Sequence, residues 1–272
     1  MRRGTSVGSS QHSERAKGKA LEVTILGSSA AYPGAGQACS GFLVESNGVN
    51  LLLDCGTGVL SNLQQRSDLR GINDIVVTHM HADHFIDLVP YRYALRYGLD
   101  TTHSTRPHLH LPPGGAGVLS QVVAPFSESE AFLTEVFDVS EYAPGRPLRL
   151  AGLTLDFIPV RHYIDSYAVA IVGDKKLAYS ADSGPCQGLT DVARDAEFFL
   201  CNTANCLDIN REHFWGHLTP AQAGEIAKEA GAKRLVISHL WPSCNRPNCL
   251  QQAQDAFLGR AELAEDGRTY QI

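Results

Sequence analysis

A chain of 272 residues is long enough to bury one large core or two small ones. Its 43% hydrophobic and 19% charged residues are ordinary for a globular protein, and no apolar run approaches the roughly twenty residues that a bilayer span needs. A formal net charge of −6 excludes a surface that attracts polyanions as a whole, although a local basic patch is left open.

Residues 1–19 are polar and rich in Ser, Gly, Lys and Arg, and Arg2-Arg3 leads into no apolar stretch. The segment reads as a disordered tail without a secretory or twin-arginine signal, ahead of one domain over 20–272. Leu21–Leu26 alternates as a strand and stops at Gly27-Ser28-Ser29. Gly41–Glu45 and Val49–Leu53 form a hairpin around Asn47-Gly48. Asp54-Cys55-Gly56-Thr57-Gly58 is a turn before a short amphipathic helix that ends near Arg66. Asp74–Thr78 is a buried strand, and His84–Tyr97 has helical character that Pro90 interrupts or kinks.

Pro107–Leu111, Glu135–Asp138, Leu148–Pro159, Ser166–Val172, Lys176–Ser180 and Glu197–Cys201 read as strands. Thr219 caps a helix over Pro220–Ala230, with Gly231 past its end. Val236–Ser238 is a strand that leads into His239, residues 248–258 are helical, and Arg268–Ile272 closes as a strand.

Seven cysteines are an odd number, and no C-x-x-C pair occurs. Cys55 and Cys201 read as buried thiols, while Cys244 and Cys249 lie in a Pro/Asn-rich loop. A zinc ribbon or a disulfide framework is therefore not expected, and a reducing cytoplasm is the default.

The strand over 74–78 delivers Thr78-His79-Met80-His81-Ala82-Asp83-His84. His79 and His81 are two apart, so an extended end aims both the same way. The chain then turns into a helix that brings Asp83 and His84 back to the same point. Neutral imidazoles suit Zn²⁺, and a carboxylate adds a hard oxygen that a second ion, Mn²⁺ or Fe would accept.

This run, with Leu26-Gly27-Ser28 and Leu53-Asp54-Cys55-Gly56 before it, resembles the metallo-β-lactamase superfamily and its ribonuclease Z-like phosphodiesterase branch. Four later motifs extend the resemblance: Arg161-His162-Tyr163, Ser180-Ala181-Asp182-Ser183-Gly184, Gly216-His217-Leu218-Thr219 and Ile237-Ser238-His239-Leu240. The resemblance implies a four-layer αβ/βα sandwich. It also implies two divalent metal ions, zinc first and Mn or Fe as alternatives. One is held by His79, His81 and His162 and the other by Asp83, His84 and His239, with Asp182 between them. Asp83 and Asp182 would orient the nucleophile. Asp54 would prop the ligand loop through hydrogen bonds.

His217 matches a histidine that contacts the phosphate in the phosphodiesterase branch and helps protonate the leaving oxygen. Its usual glutamate partner is replaced by Asn202, which is expected to orient His217 instead. Transfer-RNA-processing members carry an inserted arm between the third histidine and the bridging aspartate. His162 and Asp182 are separated here by two strands and a Gly173-Asp174 turn. The expected substrate is thus a small phosphodiester such as a cyclic nucleotide rather than transfer RNA. A lactonase, thioesterase or other carboxylic-ester hydrolase with the same metal pair is the alternative. Tyr91, Arg92, Tyr93, Arg96 and Tyr97 read as a solvated or dimer-facing helix, which leaves a homodimer open, with binding of a phosphate or base as the alternative. His108 and His110 read as structural or surface residues, and Phe214 and Trp215 either wall the pocket or pack ordinarily.

Overall fold

The computed structural model describes residues 20–98, 106–127, 129–206 and 215–272. The tail over 1–19 and Phe214 lie outside them. The described residues form two seven-stranded mixed sheets. The first carries β1 (Glu22–Gly27), β2 (Gly41–Ser46), β3 (Val49–Leu53), β4 (Asp74–Val76), β5 (His108–Leu111), β6 (Asp138–Glu141) and β14 (Thr269–Gln271), in the order β14-β1-β2-β3-β4-β5-β6. The second carries β7 (Leu148–Leu150), β8 (Leu153–Val160), β9 (Ser166–Val172), β10 (Lys176–Tyr179), β11 (Phe198–Asn202), β12 (Arg234–Ser238) and β13 (Arg260–Leu263), in the order β13-β12-β11-β10-β9-β8-β7.

Three apolar cores make this a four-layer sandwich. Successive strand side chains point to opposite faces. Thus Phe42 and Val44 of β2, Val169 and Ile171 of β9, and Phe198 and Leu200 of β11 meet between the sheets. Leu43, Leu52 and Ile75 face outward onto α1 (Val59–Leu63), α3 (Leu88–Tyr93) and α4 (Gly115–Val123). Ala168, Phe199, Leu235 and Ile237 face outward onto α5 (Gln187–Ala193), α6 (Pro220–Glu229) and α7 (Arg246–Phe257). Strands buried on both faces read as continuous apolar runs, as β11 and β12 do.

The β2–β3 hairpin turns at Asn47 and Gly48, both at positive φ (48° and 84°), with Ser46 opposite Val49. That is the conformation an Asn-Gly pair favours. Pro159 and the residues before it do not form one strand with Leu148, because Gly152 (φ 89°) turns the chain back and splits the run into β7 and β8. The strand expected at Glu135 begins only at Asp138, where pairing with His108 of β5 starts. Residues just before it are held in turns, with the Phe137 amide on the Leu133 carbonyl. The helix expected over 84–97 is broken into α2 (Ala82–Phe85), α3 and a π-turn over Ala94–Gly98. Pro90 causes no kink, since it lies in the first turn of α3, where no intrahelical donor is required. Tyr91 and Arg92 are buried rather than solvated. The Tyr91 hydroxyl donates to the Leu69 carbonyl, and Arg92 donates to the Phe132 carbonyl and to Glu135.

β3 and β4 run parallel, as do β10, β11 and β12. β8 points the same way as β10, being antiparallel to β9 as β10 is. Their C-terminal ends share one edge of the sandwich, and every expected site residue lies just beyond such an end or at the start of α6. No helix among the described residues is long and apolar enough to cross a membrane.

Candidate metal centre

Two donor sets converge at that edge, each with its atoms within 4.8 Å of one another: His79, His81, His162 and Asp182, and Asp83, His84, Asp182 and His239. Asp182 belongs to both. Its Oδ2 lies 3.8 Å from His79 Nε2, 3.4 Å from His84 Nε2, 3.9 Å from His162 Nε2 and 3.1 Å from His239 Nε2. Asp83 Oδ2 is 3.8 Å from His84 Nε2 and 3.7 Å from His239 Nε2. His81 Nδ1 faces His162 Nε2 at 3.0 Å.

The far nitrogen of most of these rings is held from behind. His84 Nδ1 donates to Asp54 Oδ2 at 2.8 Å, and His162 Nδ1 donates to the Gly216 carbonyl at 2.8 Å. The Thr78 hydroxyl donates to Asp54, so it accepts from His79 Nδ1. His239 Nδ1 and the Ser40 hydroxyl share a bond of 2.9 Å. Such bonds fix the tautomer and leave each Nε2 lone pair facing the centre.

These residues fit a pair of cations. His79 Nε2 and His84 Nε2 are buried without a hydrogen-bond partner, which is costly unless something electropositive lies against them. The donors are imidazoles and carboxylates, a set suited to zinc, iron or manganese. Burial lowers the pKa of His79, His81 and His162, the state a ligand needs. For His84, burial is outweighed by Asp182 and Asp54, which hold its pKa well above the usual value. Likewise His239 and His84 overcome burial at Asp182 and hold its carboxyl well below the usual range.

Backbone strain concentrates here. Asp54 (φ 59°), Ala181 (φ 51°) and His239 (φ 56°) are all left-handed and non-glycine. Each costs on the order of 1–3 kcal/mol, which the surroundings must hold in place. Asp54 does so at the seam between the sheets. It accepts from the Thr78 amide and hydroxyl, from His84 and from the Tyr179 hydroxyl of β10. The Asp54 turn also packs tightly on the histidine loop, since a Cβ at Gly56 would lie 1.9 Å from the Asp83 carbonyl oxygen.

His217 enters beside the centre at the N-terminus of α6, where Thr219 and Gln222 form a capping box. Its Nδ1 is 3.9 Å from Asp182 Oδ2, and its ring is 5.0 Å from that of His162. Burial drops its pKa to about 4, which favours the neutral imidazole. Asn202 does not orient it. The Asn202 amide donates to Asp182 Oδ1 at 2.8 Å and to the Tyr179 hydroxyl at 3.0 Å, because β11 lies next to β10 and ends level with Asp182. Asn202 is thus a support for the shared carboxylate.

The sequence reading missed Tyr163 and Tyr32. Tyr163, 40% exposed, packs edge-on against Trp215 and lies 5.7 Å from His217; Arg161 sits over Trp215. Tyr32 packs on Trp241 and neighbours Ala31, whose amide donates to Asp83. For Tyr163 the available signal was its place directly after the expected ligand His162, whereas Tyr32 is far in sequence from every expected ligand and gave none. His108 is exposed, while His110 is buried between Asp74 and Ser140, away from the centre. The cysteines depart from expectation: Cys206 and Cys244 are joined in a disulfide, with Cys39, Cys55, Cys186, Cys201 and Cys249 free. Spacing along the chain gave no hint of the pair, because 38 positions, including α6 and β12, separate the two.

Two mixed sheets between helical layers, with a His/Asp cluster at their common edge, define the metallo-β-lactamase fold. The chain belongs to the family described as Anti-Pycsar protein Apyc1, whose pattern it matches over residues 21–206. It is 29% identical over 252 residues to a probable metallo-hydrolase, YhfI, of Bacillus subtilis, covering 91% of this chain and 98% of that protein. An uncharacterized protein of Mycobacterium tuberculosis is 29% identical over 259 residues, covering 93% and 92%. The crystal structure of YhfI superposes with a TM-score of 0.82 at 24% identity, over 93% of this chain and 100% of that one. The short form of human tRNase Z superposes at 0.72 and 22% identity, over 92% and 99%.

Proposed function

We propose that the chain is a dinuclear metal-dependent phosphodiesterase acting on a small phosphodiester such as a cyclic nucleotide. His79, His81 and His162 would hold one cation and Asp83, His84 and His239 the other, with Asp182 shared. When bound, the cations acidify a water and withdraw charge from the phosphoryl group. Asp83 and Asp182 accept hydrogen bonds and aim the attacking water. Asn202, itself braced on the Tyr179 hydroxyl, fixes Asp182 so that its second oxygen stays on the centre.

The observation that carries this reading is His217. It stands 3.9 Å from the shared carboxylate yet outside both donor sets, with Tyr163 beside it. A neutral imidazole there donates its N–H to a phosphoryl oxygen as negative charge develops. Trp215 and Tyr163 offer ring faces for a nucleobase, and Arg161 adds positive charge next to them. The short β9–β10 hairpin fills the interval between His162 and Asp182, which leaves no arm to grip transfer RNA.

His217→Ala tests the role. It is expected to keep metal content and fold while slowing phosphodiester hydrolysis roughly 10²–10³-fold, the usual loss for one preorganised donor. A variant with unchanged kcat and KM contradicts it.

A further inference from the structure

We propose that Cys206, Cys244 and Cys249 form a second metal site, a three-thiolate pocket for zinc or a softer cation such as copper(I). Their sulfurs all lie within 4.8 Å of one another. They come from three places: the loop after β11, the loop after His239, and the first turn of α7. Two sulfurs sharing a zinc at about 2.3 Å each sit about 4 Å apart, within the spread of this cluster once the Cys206–Cys244 bond is open. The 6.1 Å Cα separation of Cys206 and Cys244 suits either a disulfide or a shared metal.

The third sulfur carries the argument. A disulfide uses two, yet Cys249, 2% exposed, is brought against the pair. Soft thiolates select zinc and copper(I), whereas the His/Asp centre offers only nitrogen and oxygen. The Cys206–Cys244 bond must first open, a dithiol reductant supplying two electrons and two protons to give two thiols. The cation then displaces three thiol protons to solvent.

The site lies where it can steady the hydrolytic centre. The Trp241 indole donates to the Ala204 carbonyl, and the Asn205 amide donates to the Leu218 carbonyl next to His217. An ion on Cys206 and Cys244 would clamp the loop that follows Asn202 to the loop that follows His239.

Cobalt tests the site, because only thiolate ligands give an intense near-ultraviolet charge-transfer band, whereas nitrogen and oxygen ligands give weak visible bands. Full-length protein treated with a dithiol reductant and loaded with Co²⁺ is expected to show the intense band. Cys249→Ser and Cys206→Ser should each lose most of it while the visible bands of the His/Asp centre persist, which also reports an intact fold. No intense band in reduced wild-type protein would overturn the proposal. So would a band that survives in both variants, or peptide mapping that finds the Cys206–Cys244 disulfide intact after reductant.

Discussion

One oxygen of Asp182 lies 3.1 to 3.9 Å from nitrogens of five histidines. A buried carboxylate in that position has to be held by its other oxygen, and Asn202 does this. Asn202→Ala should therefore leave the fold intact and weaken metal binding by about 10–100-fold, the range for losing an outer hydrogen-bond partner. Metal titration by calorimetry reads it directly, and unchanged affinity would show that Asp182 needs no such support. The clustered histidines were legible because spacing two and five along one strand end leaves few other uses. The partner of Asn202 was not, since it depends on which strand lies beside β11 and not on any neighbour in sequence.

At the scale of elements, the centre depends on strand ends meeting tight turns. The Asp54 turn after β3 presses on the histidine loop after β4, and Gly56 is where they touch. The Cys55 amide bonds the His84 carbonyl at 2.7 Å, and the Asp87 amide bonds the Cys55 carbonyl at 3.1 Å. Gly56→Ala places a methyl 1.9 Å from the Asp83 carbonyl oxygen, so the backbone has to move. The expected outcome is destabilisation by about 1–3 kcal/mol, as for overpacking, with metal content falling alongside. A thermal melt and metal analysis close to wild type would mean that the turn can slide without disturbing the loop. Strands with alternating or continuous apolar patterns, the Asn47-Gly48 hairpin and the capped α6 were all readable in advance. By contrast, α4 opens on Gly115-Ala116-Gly117 and α5 is a short helix without a side-chain cap, so neither announces itself. Among the described residues β13 is an edge strand paired with β12 alone, in a pairing that appears once the sheet is assembled.

Across the whole molecule, the inter-sheet core joins the two halves, and Asp54 on one sheet bonds Tyr179 on the other at the edge where the donors gather. Neither sheet alone carries a complete donor set: His79, His81, Asp83 and His84 follow strands of the first, and His162, Asp182 and His239 follow strands of the second. The four-layer arrangement was legible through its motifs, whereas the direction of chemistry rests on His217 and the aromatic pair beside it. The most direct test offers the reduced, zinc-loaded wild-type protein a cyclic nucleotide, bis-p-nitrophenyl phosphate, a lactone and a thioester side by side, with metal content measured on the same sample. The expected result is about two ions per chain in the His/Asp centre, counted in Cys249→Ser protein, and turnover of the phosphodiesters with kcat/KM well above that for either carboxylic ester. Ready lactone or thioester hydrolysis with no phosphodiester turned over would contradict it.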